Sequence, residues 1–415
     1  MDVVVERGSG IDVHKETVVA CFMCTGPKGK PEKQTRTFGT TVAEILALLD
    51  WLVALKCTHV AMESTGVYWK PLFNLLEGTF EILVVNAQRI KNVPGRKTDV
   101  NDAEWIANLL RHGLLSPSFI PSQPQRELRE LTRYRMTLVN GRSNEVNRIH
   151  KTLQGANIKL SSVATRILGV SGRAMIEALI AGETDASKLA QLAKGKLKKK
   201  LPALLKALDG RVRDHHRFLL KQLLAHIDFI DSQIQQCSRE IEQRMTGLTE
   251  EVDRLSTIPG VDTEISQVVL AELGADMSRF ATHKHAASWT GICPGNNESA
   301  GKSKSGKVRK GSRWLRVALI EAARAAARSK RTYLSALYNR LAARRGAKKA
   351  AVATAHAILV IAYHILKHKT TYQELGPNFF DQLDRDRTAR RLVKRLQAIG
   401  FDVTLRPTEG DTPAA

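Results

Sequence analysis

The chain has 415 residues, 43% of them hydrophobic, which is enough for two or three domains with ordinary cores and excludes wholesale disorder. Its 64 Lys and Arg stand against 41 Asp and Glu, a net charge of +23. That excess points to a polyanionic partner, nucleic acid before others, because neutralising phosphates releases counterions; a ribosome-associated or merely sticky basic protein has the same signature. Five cysteines (Cys21, Cys24, Cys57, Cys237, Cys293) make no disulfide framework. On a strand, Cys21 and Cys24 fall on opposite faces, which argues against a zinc pair. No apolar run of membrane-spanning length is evident and the N-terminus lacks a signal-peptide pattern, so a cytoplasmic protein without a membrane partner is expected.

In chain order, Gly10–His14 and Thr17–Cys24 read as a β-hairpin, with Lys33–Phe38 as a third strand. Thr41–Leu55 carries apolar residues at 3–4 spacing behind a Thr cap and reads as a helix. His59–Met62 is a short strand, Tyr68–Leu76 a helix, Phe80–Val85 a strand, and Asp99–Arg111 a helix. Strands in hairpins followed by strand–helix alternation predict a mixed α/β layer over residues 8–120. Pro124–Leu160 and Arg211–Leu255 are helical. From Leu219 to Met245 an unbroken apolar stripe predicts either a coiled-coil seam or a long helix packed within its own domain. Lys194–Lys200, with five lysines, reads as a solvated loop with a phosphate role open to it. From Lys302 to Lys349 there are sixteen Lys or Arg and one acid, Glu321. This block, with helices at Trp314–Ala327 and Thr332–Ala343, reads as a nucleic-acid surface. The last thirty or so residues have the composition of a loose tail.

Four acids stand out by position. Asp12 lies inside the apolar strand Gly10-Ile11-Asp12-Val13-His14, and Glu63 ends the strand His59-Val60-Ala61-Met62. Asp99 and Asp102, spaced i, i+3, share one helix face. Each has a plain structural explanation: Asp99 as a helix cap, Asp12 paired with Lys15, Glu63 capping the next helix. Together they offer hard oxygen donors for one or two Mg²⁺ (or Mn²⁺) ions of the kind that serve phosphoryl transfer.

A second constellation runs from Trp289 to Lys302: Trp-Thr-Gly-Ile-Cys-Pro-Gly-Asn-Asn-Glu-Ser-Ala-Gly-Lys. Small residues let a backbone come close, and Lys302, Lys304, Lys307, Arg309, Lys310, Arg313 and Arg316 would draw phosphate. From the residues alone this is first a phosphate-binding loop, since no Ser-His-Asp pattern lies nearby.

Gly10-Ile11-Asp12-Val13-His14-Lys15, Met62-Glu63-Ser64-Thr65-Gly66-Val67-Tyr68 and Lys97-Thr98-Asp99-Val100-Asn101-Asp102-Ala103 resemble the N-terminal motifs of insertion-sequence family one-ten, the transposases related to Piv-type DNA invertases. The serine loop resembles the family's C-terminal motif, with Ala300 where many members carry Gly. The resemblance covers about residues 8–370 and implies an RNase-H/RuvC-like domain in which Asp12, Glu63, Asp99 and Asp102 bind divalent metal. It implies Ser299 as the nucleophile, with Ser303 and Ser305 as weaker candidates, forming a transient phosphoserine that a DNA hydroxyl resolves. It also implies DNA as substrate, a structured guide RNA encoded by the element, and association with the nucleoid. Ile258-Pro259-Gly260-Val261, followed by Ser266–Leu273, resembles a helix-hairpin-helix, which would place Gly260 against a DNA phosphate.

The expected organisation is an 8–160 DEDD catalytic domain, a 161–250 helical linker and coiled coil, a 251–375 mainly α transposase domain, and a 376–415 tail. A homo-oligomer, dimer or tetramer, is expected from the long apolar stripe and the need to hold several strand ends. Two other functions fit part of the pattern: a metal-dependent junction resolvase or nuclease using the acids only, and a non-catalytic basic DNA-binding protein.

Overall fold

The computed structural model describes residues 2–26, 29–64, 66–86, 90, 102–293, 298–299, 302–303, 308 and 310–405, with the backbone alone at 298, 299, 302 and 303. The chain divides into two compact units, Met1–Pro121 and Ser122–Ala415.

The first unit is built on a five-stranded sheet. Strands β1 (Arg7–Val13), β2 (Thr17–Thr25) and β3 (Pro31–Gly39) form an antiparallel meander, and β4 (His59–Glu63) and β5 (Glu81–Val85) add in parallel on the other side of β1. The spatial order is β3-β2-β1-β4-β5. Helix α1 (Val42–Ala54) begins at Thr41, whose hydroxyl accepts from the Glu44 amide and donates to the Glu44 carboxylate. With α2 (Trp69–Leu76) it covers one face of the sheet, where Ile11, Val13, Val18, Ala20, Phe22, Val60, Met62 and Val84 form a core with Ile45, Leu48 and Leu72. Helix α3 (Asp102–Arg111) covers the opposite face, over Cys21, Met23, Ala61 and Val85. The two-residue period of the strands therefore sorts the unit into three layers. It also separates the close cysteines: Cys21 packs on the α3 side and Cys24 on the α1 side, both free. A mixed sheet between helices is consistent with an RNase-H-like domain.

The second unit is helical apart from one short hairpin among the described residues. Helix α4 (Gln123–Gly155) and helix α5 (Asp214–Arg244) run antiparallel. Glu127 meets Arg244, Arg142 meets Asp231, and Glu145 meets His226 along their length. The apolar stripe of α5 buries Leu220, Leu224, Ile227, Ile230, Cys237 and Ile241. Its seam is thus covered at least in part by the chain's own α4, as the intradomain alternative expects. Shorter helices between the two long ones close a separate core at one end of the hairpin, around Ile149, Met175, Leu204 and Ile227. There Lys194–Lys200, expected as a loop, includes a 3₁₀ turn at Gly195–Lys200.

At the other end α6 (Thr249–Ser256), α7 (Thr263–Leu273), α8 (His283–Thr290), α9 (Arg313–Ala326), α10 (Tyr333–Arg345) and α11 (Ala347–His368) enclose the largest core. Helix α11 is the one described helix long and apolar enough to cross a membrane. It is a core helix: Ala355, Ile358, Leu359, Ala362 and Tyr363 are buried, and the Tyr363 hydroxyl donates to the Phe280 carbonyl at 2.9 Å. In the segment expected as a tail, Arg385–Ala398 forms a basic helix with none of its residues buried.

Candidate active site

The position of the acids follows from strand alternation. Ile11 and Met62 are register partners in parallel strands, and both face α1. Asp12 and Glu63, one residue further on, therefore face α3. Gly10 shares that face, and a Cβ there would overlap the backbone of Ala103 and Ala107. Glycine at this position lets α3 lie directly on β1. The small residues Ala103 and Ala107, both fully buried, complete the contact. Helix α3 begins one residue before Ala103, which brings Asp102 over the strand position of Asp12, two residues from Gly10.

The electrostatics match this convergence. Asp12 has its pKa raised, first by burial and then by the carboxylates of Asp102 and Glu63, while His14 opposes the rise. The His14 Nε2 lies 3.0 Å from Asp12 Oδ2. Asp12 thus pairs with His14 on its own strand face, not with Lys15. Asp12 and Glu63 are half-buried and Asp102 exposed, and like charges near a half-buried carboxylate are unfavourable unless a cation or a proton compensates them. Their donors are hard oxygens of the kind that Mg²⁺ or Mn²⁺ takes, so the residues fit such an ion in kind. Among the described residues no three acid or imidazole side chains already stand close enough to hold one. Asp99, the fourth acid, lies outside the described residues.

The serine loop is placed by its backbone. Glu298–Ser299 and Lys302–Ser303 pair as an antiparallel two-strand ladder, with Ser299 opposite Lys302. Lys304, Ser305, Lys307 and Arg309 lie outside the described residues. Lys310 and Arg313 are exposed and Arg316 is partly so, at the start of α9. The ends of the loop are held firmly. Gly291 caps α8 in the left-handed region with φ of 70°, and a Cβ on Gly311 would overlap Gly291. Ser312 caps α9 through the Leu315 amide, and its own amide donates to the Trp289 carbonyl at 3.2 Å.

Gly260 lies between α6 and α7 at φ of 86°, and a Cβ there would overlap Ala322 and Ala326 of α9. The groove beside it, about 270 Å³, is lined by Asp262, Glu264 and Glu321 as well as Arg135 and Arg328. Sequence reasoning missed His14, the helix-seating role of Gly10, and the residues that anchor the loop. The first two were open to it, because His14, Asp12 and Gly10 alternate onto one strand face. The anchors were not, since they join segments far apart in the chain.

Acids on one face of a mixed sheet and a separate serine-bearing hairpin running into basic helices are consistent with a DEDD-type DNA transposase, an enzyme of DNA recombination, which is the class the family comparisons show. Two family models match: one described as a transposase, of the DEDD IS110 type, over residues 9–158, and one described as the transposase IS116/IS110/IS902 family over residues 252–339. Together they span more than half of the chain, and the chain belongs to the IS110 family of transposases. A domain of the DEDD type implies dependence on a divalent metal, and a transposase binds DNA. No curated protein matches closely enough to compare with it.

Proposed function

We propose that this transposase moves an insertion sequence by serine-mediated strand exchange, with Asp12, Glu63, Asp99 and Asp102 and the nucleophile Ser299 acting on one phosphodiester. The observation that carries the reading is the placing of Asp12, Glu63 and Asp102 on one face of the sheet, where burial first, and the two neighbouring carboxylates after it, raise the Asp12 pKa. A bound Mg²⁺ would supply charge neutralisation at the reacting phosphate.

The chain's own groups do the rest. Ser299 gives up its hydroxyl proton and its Oγ bonds to phosphorus, while one ester oxygen leaves as a free DNA hydroxyl. A DNA hydroxyl from another strand then attacks the phosphoserine, and Ser299 leaves with its proton restored. One phosphoester bond forms for each that breaks, so no nucleotide cofactor is needed. Lys302, Lys304, Lys307, Arg309, Lys310, Arg313 and Arg316 would hold the phosphates on either side. The Ile258–Val261 turn would act as a helix-hairpin-helix contact through the Gly260 amide, since Pro259 has none and the Ile258 and Val261 amides donate to the Leu255 and Ile258 carbonyls; the Gly260 Cα faces α9.

We extend the proposal to a structured guide RNA, a dimer or tetramer in the synaptic complex, and a cytoplasmic, nucleoid-associated location. The domain boundaries at 160, 250 and 375 belong to the same reading. Support for it comes from the family, the basic block and the exposed basic helix Arg385–Ala398.

The test is strand exchange with element ends, Mg²⁺ and the element's RNA. Ser299→Ala is expected to abolish exchange and the covalent protein–DNA adduct seen with wild type. Full exchange by Ser299→Ala would leave a DEDD-only nuclease or resolvase, and full exchange by Asp12→Asn would remove the acids from the chemistry.

A further inference from the structure

A fully buried carboxylate sits against the start of α9, where the serine loop ends. Glu272, on α7, has no exposed surface, and Arg133 of α4 grips it with both arms of its guanidinium, Nε to Oε1 at 2.7 Å and Nη2 to Oε2 at 3.0 Å. The second partner is Ser312, whose hydroxyl donates to Glu272 Oε2 at 3.0 Å. Ser312 is the residue at which the loop ends and α9 begins.

Arg129, one helical turn before Arg133, donates to the Ala271 carbonyl at 3.0 Å and to the Glu272 carbonyl. Its guanidinium lies over the Trp289 ring at 5.2 Å, just before the loop starts. Burial lowers the Arg129 pKa to about 10, with Glu272 opposing the fall. Two arginines one turn apart on α4 therefore reach both ends of the loop, one through Trp289 and the other through Glu272 and Ser312. The Ser312 amide on the Trp289 carbonyl and the close approach of Gly291 to Gly311 tie the ends to each other.

A buried ion pair is a poor way to stabilise a core, because apolar side chains of similar volume do as well or better. What the bidentate fork adds is direction: it fixes the carboxylate plane, and the carboxylate fixes the hydroxyl. We propose that Glu272 is a positioning residue, which with Arg133 holds Ser312 and so sets where the loop carrying Ser299 leaves its base. The proposal rests on the reading of Ser299 as nucleophile. It assigns to α4, the first helix after the carboxylate-bearing unit in the chain, a direct mechanical hold on the nucleophile's loop.

The experiment compares full-length wild type with Ser312→Ala, Ser312→Thr, Glu272→Gln and Thr332→Ala. Thr332 caps α10 as Ser312 caps α9, through the Ser335 amide, so Thr332→Ala controls for the loss of one helix cap. The readouts are melting temperature, affinity for element-end DNA, and the rate of adduct formation at saturating DNA. A nucleophile displaced by about an ångström loses on the order of a hundredfold in rate. Ser312→Ala is therefore expected to form adduct roughly ten- to a hundredfold more slowly, with DNA affinity unchanged and a melting temperature below that of Thr332→Ala by the loss of one buried hydrogen bond. Ser312→Thr, which keeps the hydroxyl, restores the rate. Should Glu272→Gln fold, its rate falls with that of Ser312→Ala; should it not, the serine variants decide alone. Equal rates for Ser312→Ala and Thr332→Ala, or no rescue by Ser312→Thr, overturn the proposal. If wild type forms no adduct while exchanging strands, it is the nucleophile reading that has failed.

Discussion

At the residue scale, the Asp12 pKa has consequences of opposite sign with and without metal. A carboxyl whose folded-state pKa lies above its unfolded value favours folding below the unfolded value and loses that contribution as pH rises through the folded one. Asp12 is such a group, raised above 3.8 by burial and by Asp102 and Glu63. In metal-free wild type the contribution of Asp12 should thus be lost as pH rises from 3.8 through its raised folded-state value. Asp12→Asn, which cannot ionise, should melt no lower than wild type at neutral pH without metal. With Mg²⁺ the order reverses, because only the ionised carboxylate helps to hold the ion, and the gain should fade as the solution is acidified. Thermal melts of both proteins from pH 4 to 8, with and without Mg²⁺, check this; an undiminished Mg²⁺ gain in the variant would refute it. Gly10 offers a second test on the same strand. Its missing Cβ leaves room for the backbone of Ala103 and Ala107, which cannot rotate away as a side chain can. Gly10→Ala should cost about 1–3 kcal/mol by overpacking, read from denaturant unfolding. It should also weaken Mg²⁺ binding, because lifting α3 carries Asp102 away from Asp12. A variant of wild-type stability would mean that α3 is not seated on Gly10.

At the element scale, much of the first unit was legible because its signals are local. β-Rich runs on either side of the polar turn Lys15-Glu16 marked Gly10–His14 and Thr17–Cys24, and the Thr41 cap and 3–4 spacing marked the helix found at Val42–Ala54. The acids Asp12, Glu63 and Asp102 were legible for the same reason, each lying in or at the end of a strand or helix readable from its neighbours. What periodicity could not decide was partner choice. The apolar stripe of α5 suits a second copy or a helix of the same chain equally well. Only the three-dimensional pairing of Arg142 with Asp231 and of Glu145 with His226 shows α4 taking up part of that face. The anchors of the serine loop were hidden for a related reason: Arg133, Glu272 and Ser312 meet across 139 and 40 residues of sequence, and of the three only Ser312, as a helix cap, belongs to a local pattern. Gly311 shows how tight that base is, since a side chain there would meet the backbone of Gly291 and Thr290. Gly311→Val should therefore pry the loop ends apart, lowering adduct formation more than DNA affinity. A variant with wild-type adduct rate would show that the base tolerates widening.

At the scale of the whole molecule, the charge is distributed unevenly, and this sets how binding should respond to salt. Residues 302–349 hold sixteen Lys or Arg and one acid, while the chain as a whole carries +23. Helix α9 turns its apolar residues Leu315, Ala318, Leu319 and Ala322 into the core. Of the cations at its start, Arg313 is exposed and Arg316 partly so, and they remain available to phosphate. Each phosphate neutralised on duplex DNA contributes about −0.9 to the slope of log K against log salt. If about eight of these cations meet phosphates, the slope for element-end DNA should be roughly −7. Replacing Arg313 and Arg316 by Gln removes two of them without touching the apolar face of α9. The double variant should keep its fold, bind more weakly at every salt concentration, and show a slope shallower by about 2. Because phosphate contacts position the duplex without reading bases, specific and unrelated sequences should weaken alike. Fluorescence anisotropy over a salt series measures both quantities together. An unchanged slope would place the DNA path off the start of α9. A loss confined to the element ends would instead mean that these arginines read sequence.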